Sequence, residues 1–387
     1  MPAKKRPVSK THVPLGNVRV LELAQYISGP YVGQMLGDLG AEVIKIERPG
    51  TGDPFRGWTG NTYSPHFAAF NRNKFSVALD LKTSPGQEAF RELIKDADVV
   101  ICNLLSSTIT SFGVEYERLA RLNPRLVYCL ISGLKDEQGD KPTYDTVALS
   151  VGGLHGLMTS GAAPKPLGIA LADMITSWWA VQGILAALVE RYASGKGQMV
   201  EISMGDAIIG SLGDMGTLYL QTRRPIDCDT RPAMAQAYCV KTADDKNLTV
   251  HTSSSEKYWK ALVEAVDRPD LLVDGRFNPV AARISHYEDL YSELASIFRQ
   301  HPLSYWLSRL KKADVPHAPI NTMADLFNDG GPGVTQIVRQ SRGDGNTVLS
   351  IGSPIRLSRT PVTYRLPPPL LGEHGLPGQR QLARKAK

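Results

Sequence analysis

The sequence predicts an α/β protein in which a large domain is built on a parallel sheet and a smaller α+β domain follows. Over residues 18–131, short apolar runs typical of strands alternate with runs typical of helices, the order expected for a parallel sheet covered on both faces. After Leu220 the chain becomes polar and broken by prolines, and short strand patterns then precede helical ones. The length of 387 residues also suits two domains.

The first predicted elements form a unit of Rossmann type. Residues 18–23 predict a strand, residues 28–39 a helix with Pro30 suited to its first position, and residues 42–47 a second strand. Glu47 resembles the acid that binds a ribose in nicotinamide enzymes. However, the turn lacks G-x-G-x-x-G, and Pro30 removes a backbone donor, so we do not expect a nicotinamide cofactor.

The alternation continues to residue 131. The further predicted elements are strands at 77–81, 99–102 and 126–131 and helices at 86–94 and 115–122. Ligands of such sheets bind beyond the strand ends, so we expect binding loops at residues 48–53, at residues 71–74 and at Asn103.

The most apolar stretch, residues 174–189, predicts a helix that is buried on several faces. Small residues recur along it at steps of three or four, which allows a neighbouring backbone to approach closely: Ser177, Ala180, Gly183 and Ala187. Glycines at 195 and 197 end the helix, and residues 199–204 predict a strand. The apolar run is shorter than the ~20 residues of a membrane span and ends in two charges, so we reject a membrane span.

Asp173, at the front of this helix, has two interpretations. Asp is a preferred helix cap, because its side chain accepts a hydrogen bond from an unpaired backbone N–H. Alternatively, Asp173 is a nucleophile, since a carboxylate at the positive end of a helix stays ionised and apolar neighbours exclude competing water. The pattern alone leaves both interpretations open.

The second half of the chain predicts a smaller unit. Its predicted elements are strands at 238–242 and 248–252, helices near 256–265, 287–299 and 303–312, a strand at 348–351 and an extended end at 366–374. The proline-broken residues 223–232 suit a crossing between domains. We therefore expect a large domain over 1–222, a small domain over 223–325 and a C-terminal segment, 326–387, that returns to the large domain.

Composition excludes several classes of function. The net charge is +6, and eight basic residues at the chain ends carry more positive charge than this total: Lys4, Lys5, Arg6, Lys10, Arg380, Arg384, Lys385 and Lys387. The body is therefore slightly acidic, and we expect no nucleic-acid partner. The histidines show no metal-ligand spacing, and His155 and His251 are interpreted as structural residues.

The cysteines and the N-terminus predict a location. Four cysteines without a CxxC pair indicate free thiols in a reducing compartment: Cys102, Cys129, Cys228 and Cys239. The N-terminal stretch carries charge but no apolar h-region, so we expect a cytoplasmic protein without a membrane partner.

Short motifs over almost the whole chain resemble the family III CoA-transferases, which include the formyl-CoA and carnitine CoA-transferases. In chain order these motifs are Ser28-Gly29-Pro30, Leu39-Gly-Ala-Glu-Val-Ile-Lys-Ile-Glu47, Gly52-Asp-Pro-Phe-Arg-Gly-Trp58, Asn71-Arg-Asn-Lys74, Leu79-Asp-Leu-Lys82, Asn103, Tyr144-Asp145, Leu171-Ala-Asp173, Gly195-Lys-Gly-Gln198, Arg276-Phe277, Val315-Pro-His-Ala-Pro319 and Leu371-Gly-Glu-His374. The run at 52–58 resembles the formyl-CoA:oxalate branch in particular.

The resemblance implies an activity and a role for Asp173. In this family an Asp carboxylate attacks an acyl-CoA, and an aspartyl anhydride and then an aspartyl–CoA thioester form before a carboxylic acid takes over the CoA. CoA is thus a substrate, and no tightly bound cofactor is expected. The residues that match the family's CoA contacts, with a second acid beside them, are Ile27, Ser28, Arg48, Leu79, Lys82, Asn103, Leu104, Tyr144 and Asp145. For Arg48 and Lys82 a solvated surface charge is the alternative, and for Asp145 a hydrogen-bond acceptor in a turn.

The resemblance also implies an assembly, in which each chain is an open ring and two rings interlock as a homodimer. Two features depart from the family pattern. One phosphate-binding Arg is replaced in a stretch with Ser111, and residues 230–235 stand where some members have a glycine-rich flap that covers the intermediate.

Three other functions remain as alternatives. An α-methylacyl-CoA racemase shares the fold and the Asp, but its partner histidine is replaced here by Tyr144, whose pKa of about 10 suits neutral acid–base chemistry poorly. A non-catalytic CoA-binding protein would not need Asp173. A nucleotide-dependent oxidoreductase would need the missing glycine motif.

Overall fold

The computed structural model describes residues 13–60, 63–136, 139–159, 164–253 and 255–376. The described chain divides into two compact units, the first within residues 13–155, 166–212 and 336–376, and the second within residues 156–165 and 213–335. The basic clusters at the chain ends lie outside the described residues.

The strands, in chain order, are β1 Arg19–Leu23, β2 Glu42–Glu47, β3 Lys74–Ala78, β4 Val99–Cys102, β5 Val127–Ser132, β6 Leu134–Asp136, β7 Gly139–Lys141, β8 Met199–Ser203, β9 Ala237–Lys241, β10 Asn247–His251, β11 His317–Pro319, β12 Ile337–Ser341 and β13 Thr347–Ile351. The helices are α1 Ser28–Asp38, α2 Pro65–Ala69, α3 Ser84–Ile94, α4 Ser106–Phe112, α5 Tyr116–Leu122, α6 Asp145–Val151, α7 Leu154–Met158, α8 Leu171–Ser194, α9 Met204–Gly210, α10 Gly213–Thr222, α11 Thr230–Ala235, α12 Glu256–Ala265, α13 Val280–Ser285, α14 Tyr287–Phe298, α15 Leu303–Lys312 and α16 Met323–Phe327.

A six-stranded parallel sheet organises the first unit, with the order β3-β2-β1-β4-β5-β8. Helices α1 and α8 pack on one face of the sheet, and α3 and α5 pack on the other. The predicted parallel sheet covered on both faces is therefore confirmed. The strand order reverses between β1 and β4, and in such sheets the ligand crevice lies at the carboxyl ends beside this reversal.

Helix α8 confirms the predicted close approach along its small residues. A Cβ at Gly183 would lie 2.6 Å from Val200 Cγ1 on β8, and Ala180 and Ala187 are buried against the sheet. The expectation that the helix is buried on several faces is wrong for the single chain, because its outer face exposes four large apolar side chains: Trp178, Trp179, Val189 and Tyr192.

The length argument against a membrane span is also wrong. Helix α8 has 24 residues and is long and apolar enough to cross a bilayer by length and composition alone. Its inner face nevertheless packs on the sheet, as the core helix of a globular protein does.

Strand β3 begins earlier than predicted, and this changes the interpretation of residues 71–74. Residues 71–73 precede β3 at its amino end and Lys74 is its first residue, so these residues do not form a loop at the carboxyl edge of the sheet. All four side chains are buried: Asn71, Arg72, Asn73 and Lys74. Lys74 Nζ, for example, lies 2.8 Å from Glu22 Oε2 and donates to Asn71 Oδ1. We correct the predicted binding loop to a structural segment, because its polar groups are used inside the protein.

The C-terminal segment begins with the hairpin β12–β13 and continues in extended conformation to residue 376. Asn73 joins it to the start of β3 by donating to Thr363 O and accepting from the backbone N–H of Arg365. His374 then pairs with Ser76 on β3 through a backbone hydrogen bond of 3.0 Å. The segment thus lies along the outer side of the edge strand.

The second unit contains the antiparallel sheet β11-β10-β9 and the predicted helices α12, α14 and α15. Its core is rich in aromatic side chains, including Trp259, Phe298 and Trp306. Strand β11 was not predicted, because its three residues include Pro319 at the sheet edge.

Candidate active site

The turn between β1 and α1 meets the loop after β4 at the point where the strand order reverses. Asn103 makes two hydrogen bonds of 2.9 Å to the backbone of Gln25, one to the N–H and one to the carbonyl oxygen. Its amide nitrogen also lies 3.4 Å from Ser28 Oγ. These contacts hold the first residues of α1 at the expected ligand crevice.

Ser28 connects this turn to Asp173. Hydrogen bonding from its backbone and its side chain acts to lower the pKa of the Asp173 carboxyl. The Ser177 hydroxyl lies 2.8 Å from the carbonyl oxygen of Ser28 and 2.7 Å from that of Asp173, so it ties α1 to α8. A Cβ at Gly29 would lie 2.2 Å from Ala24 Cβ, and only glycine permits this approach.

Asp145, not Asp173, satisfies the backbone at the start of α8. Asp145 Oδ1 accepts hydrogen bonds from the N–H groups of Ala172, at 2.6 Å, and Asp173, at 3.3 Å. The N-cap residue of α8 is Ala170, and Asp173 lies inside the first turn. The capping interpretation of Asp173 is therefore wrong, because the side chain of Asp145 takes that role from another helix.

Asp145 and the partly buried site both raise the proton affinity of Asp173. Burial and the charge of Asp145 raise the pKa of Asp173 to about 7, although the hydrogen bonds from Ser28 oppose the increase. Burial also raises the pKa of Asp145, while the amides of α8 act in the opposite direction. Asp173 therefore ionises close to neutral pH.

Four aromatic side chains form a cluster beside Asp145, with Tyr26 at its centre. The Tyr26 ring lies 5.9 Å from Phe55, 6.2 Å from Trp58 and 6.4 Å from Tyr144, measured between ring centroids. Trp58 and Tyr144 are 59% and 63% exposed, which leaves an apolar surface open to a ligand. Sequence reasoning missed Tyr26, because an aromatic residue gives no signal of its left-handed backbone (φ 62°).

The other predicted contact residues also follow the carboxyl ends of strands. Ile27 is the N-cap of α1 and Leu104 follows β4. Arg48, Leu79 and Lys82 follow β2 and β3, on the other side of β1 from Asn103, and both cations are exposed. The structure therefore brings Ser28, Asn103, Tyr144, Asp145 and Asp173 together, and it spreads the others along the same edge.

Glu47 has a structural role that excludes ribose binding by its carboxylate. It forms two hydrogen bonds with Arg56, at 2.7 and 2.8 Å, and accepts a third from Ser76 at 2.6 Å. Burial alone would raise the pKa of Glu47, but Arg56 and the charge of Lys45 lower it to about 2. Its oxygens are thus occupied inside the protein.

The fold and this site define an α/β protein with a ligand crevice at the sheet reversal and a carboxylate pair beside it. A family model described as CoA-transferase family III matches residues 15–375. The succinate–glutarate CoA-transferase of Agrobacterium fabrum is 32% identical over 386 residues, covering 93% of this chain and 94% of that protein. The succinyl-CoA:mesaconate CoA-transferase of Haloarcula hispanica is also 32% identical, with coverage of 93% and 94%.

A solved structure gives the same result. The crystal structure of a CAIB/BAIF family protein from Brucella suis has 31% identity and a TM-score of 0.82, and the match covers 96% of this chain and 99% of that one. The chain therefore belongs to the family III CoA-transferases. It is an enzyme that transfers CoA between acyl-CoA thioesters and carboxylic acids.

Proposed function

We propose that Asp173 is the nucleophile of this transfer. Its carboxylate oxygen attacks the thioester carbonyl of the donor, the C–S bond breaks, and an aspartyl anhydride and CoA thiolate form. The thiolate attacks the Asp173 carbonyl, releasing the donor acid and leaving an aspartyl–CoA thioester. The acceptor carboxylate attacks this thioester to give a second anhydride, from which the returning thiolate removes the new acyl group and frees Asp173.

The observation that supports this role is that Asp145, and not Asp173, accepts the hydrogen bonds at the start of α8. Asp145 Oδ1 accepts hydrogen bonds from the N–H groups of Ala172 and Asp173 in the first turn of α8, so the Asp173 carboxylate is not needed for capping. With a pKa of about 7, the ionised Asp173 is more basic than an ordinary carboxylate. Acylation removes its charge and with it the repulsion from Asp145, which favours attack.

We further propose that CoA lies along the carboxyl edge of the sheet. Its contacts would come from residues that follow those strands and from the residue before Asp145: Ile27, Ser28, Arg48, Leu79, Lys82, Asn103, Leu104 and Tyr144. The exposed cations Arg48 and Lys82 suit the phosphates, and Tyr144 and Trp58 offer apolar surface near the thioester end.

The substrate class, assembly and location belong to the same proposal. The relatives named above act on short dicarboxylates, namely succinate, glutarate and mesaconate, so we propose a short dicarboxylic acid as acceptor. We also propose an interlocked cytoplasmic homodimer, whose separation would require a chain to open. Analytical ultracentrifugation on serial dilution tests the dimer, and a folded monomer at low concentration would contradict it.

Trapping of the covalent intermediate tests the nucleophile. Wild-type enzyme is incubated with succinyl-CoA and then with hydroxylamine, which converts an activated Asp173 carboxyl into a hydroxamate, and peptide mass spectrometry locates the label. Borohydride should reduce the thioester at the same residue. The Asp173→Asn variant should give no label and almost no transfer. Label on Asp145, or near-normal turnover by Asp173→Asn, would contradict the proposal.

A further inference from the structure

A cluster of six buried charged side chains lies beside the β1–α1 turn, three acidic and three basic: Glu22, Lys45, Glu47, Asp53, Arg56 and Lys74. Lys45 Nζ is at its centre, 2.8 Å from Glu22 Oε1 and 2.9 Å from Asp53 Oδ2. The pairing is needed, because an isolated charge at such a buried position is very costly. The stabilising role of the cluster alone does not explain its contacts with the turn.

Two members of the cluster bind the backbone of the turn directly. Asp53 Oδ1 accepts hydrogen bonds from the N–H groups of Tyr26, at 3.1 Å, and Phe55, at 2.9 Å. Lys45 Nζ donates to the carbonyl oxygen of Ala24 at 2.8 Å. Between these contacts Tyr26 has φ 62°, which is unfavourable for a residue with a side chain and persists only where the surroundings enforce it.

The turn ends at Ser28, the residue whose hydrogen-bond donors act on the Asp173 carboxylate. We propose that Asp53, held by Lys45, is a positioning residue that enforces the strained turn and so keeps Ser28 in hydrogen-bonding contact with the Asp173 carboxylate. This inference rests on the proposed role of Asp173 and extends it to a buried residue that does not contact the acylated atoms. The Lys45–Asp53 pair thereby controls how easily Asp173 ionises.

The direction of the effect follows from the contacts. Among the residues that the structure describes, the groups that act on Asp173 are the carboxylate of Asp145 on α6 and the hydrogen-bond donors of Ser28 on α1. Ser28 favours the ionised carboxylate, so a displaced Ser28 leaves the repulsion from Asp145 unopposed and raises the pKa of Asp173 further. Losing one such bond is expected to raise that pKa by about one pH unit.

The first experiment compares Asp53→Asn with Asp38→Asn. Asp38 is an equally buried Asp that pairs with Arg72 at 2.6 Å near the far end of α1, so its variant removes a comparable ion pair away from the turn. We expect the acidic limb of the kcat/KM profile to move up by about one pH unit in Asp53→Asn, a loss of about tenfold at pH 6 with little change at pH 9. Asp38→Asn should lose stability but keep the profile. An equal shift in Asp38→Asn, or an Asp53→Asn variant in which neither the profile nor the titration of Asp173 described below is shifted, would overturn the inference.

A double-variant experiment tests the path through Ser28. Ser28→Ala removes only the side-chain donor and should shift the profile in the same direction, and adding Asp53→Asn to Ser28→Ala should shift it by less than Asp53→Asn shifts the wild-type profile. If the two shifts add, Asp53 acts on Asp173 by another route and the inference is wrong. If Asp53→Asn does not fold, Asn103→Ala loosens the same turn from its other side and should raise the Asp173 pKa in the protein without CoA. The absence of that shift would equally overturn the inference.

A direct titration separates this inference from the proposed nucleophile. The Asp173 carboxyl carbon is followed by ¹³C NMR in protein with labelled Asp, with Asp173→Asn used to assign the signal. If Asp173 is not the nucleophile, the Asp53→Asn shift remains visible in this titration while the activity profile does not follow it. If the titration itself does not move, the positioning role fails whatever the mechanism.

Discussion

Replacing Asp173 by Asn should stabilise the protein at alkaline pH while abolishing CoA transfer. The folded-state pKa of Asp173 is about 7, whereas an exposed Asp titrates at about 3.9. Above pH 7 the folded protein must therefore hold a carboxylate in an environment that disfavours its charge. An Asn side chain keeps an oxygen that can accept a hydrogen bond from Ser28 and carries no charge.

The size of this effect follows from the pKa difference. A difference of about 3 pH units corresponds to an upper limit of about 4 kcal/mol, and partial solvent exposure reduces it to about 1–2 kcal/mol. Between pH 4 and pH 7 the unfolded state binds fewer protons than the folded state at this site, so wild-type stability falls as pH rises. The advantage of Asp173→Asn should therefore grow from pH 4 to pH 7 and stay constant above it.

Urea denaturation at pH 5 and pH 8.5, at one fixed protein concentration, measures the prediction. Glu190→Gln is the matched control, because Glu190 is an exposed carboxylate on the same helix and its removal should change stability by less than about 0.5 kcal/mol. A variant Asp173→Asn that is less stable than wild type at pH 8.5 would show that the site does not disfavour the ionised carboxylate.

Two further predictions follow. Asp145→Asn should move the acidic limb of the kcat/KM profile to lower pH, because an amide oxygen can still accept hydrogen bonds from α8 but does not repel the Asp173 charge. A pH–rate profile with saturating acceptor measures this shift, and a shift to higher pH would contradict the prediction. Asn73→Ala should destabilise the protein by about 2 kcal/mol and expose the C-terminal segment to protease, because the carbonyl oxygen of Thr363 and the N–H of Arg365 lose their partner. Limited proteolysis measures this, and unchanged cleavage of the segment would contradict the prediction.

The elements with strong local patterns were predictable. Strands β2 and β4 occur where the sequence placed them, since each is a short apolar run with clear boundaries. The sequence placed strand β3 three residues too late, because the strand begins with Lys74 and a charged residue does not indicate a buried strand. A buried lysine is acceptable there because Nζ pairs with Glu22, 52 residues earlier in the chain, and donates to Pro30 O and Asn71 Oδ1.

The site was predictable in its position but not in its division of roles. The apolar helix with an acid at its front identified Asp173. That Asp145 caps this helix depends on a contact between residues 27 positions apart, which no local pattern reports. The positive φ of Tyr26 was equally hidden, because the tertiary contact with Asp53 overrides the local preference of an aromatic residue.

The strap formed by residues 361–376 has a consequence for biosynthesis. Strand β3 is the last strand on its side of the sheet, and His374 occupies both the N–H and the carbonyl oxygen of Ser76. A ribosome makes β3 long before the strap, so the nascent chain carries an open sheet edge while the residues between them are synthesised. An open edge can pair with another chain. A product truncated before the strap is therefore prone to aggregate with other nascent chains that are being translated from the same mRNA.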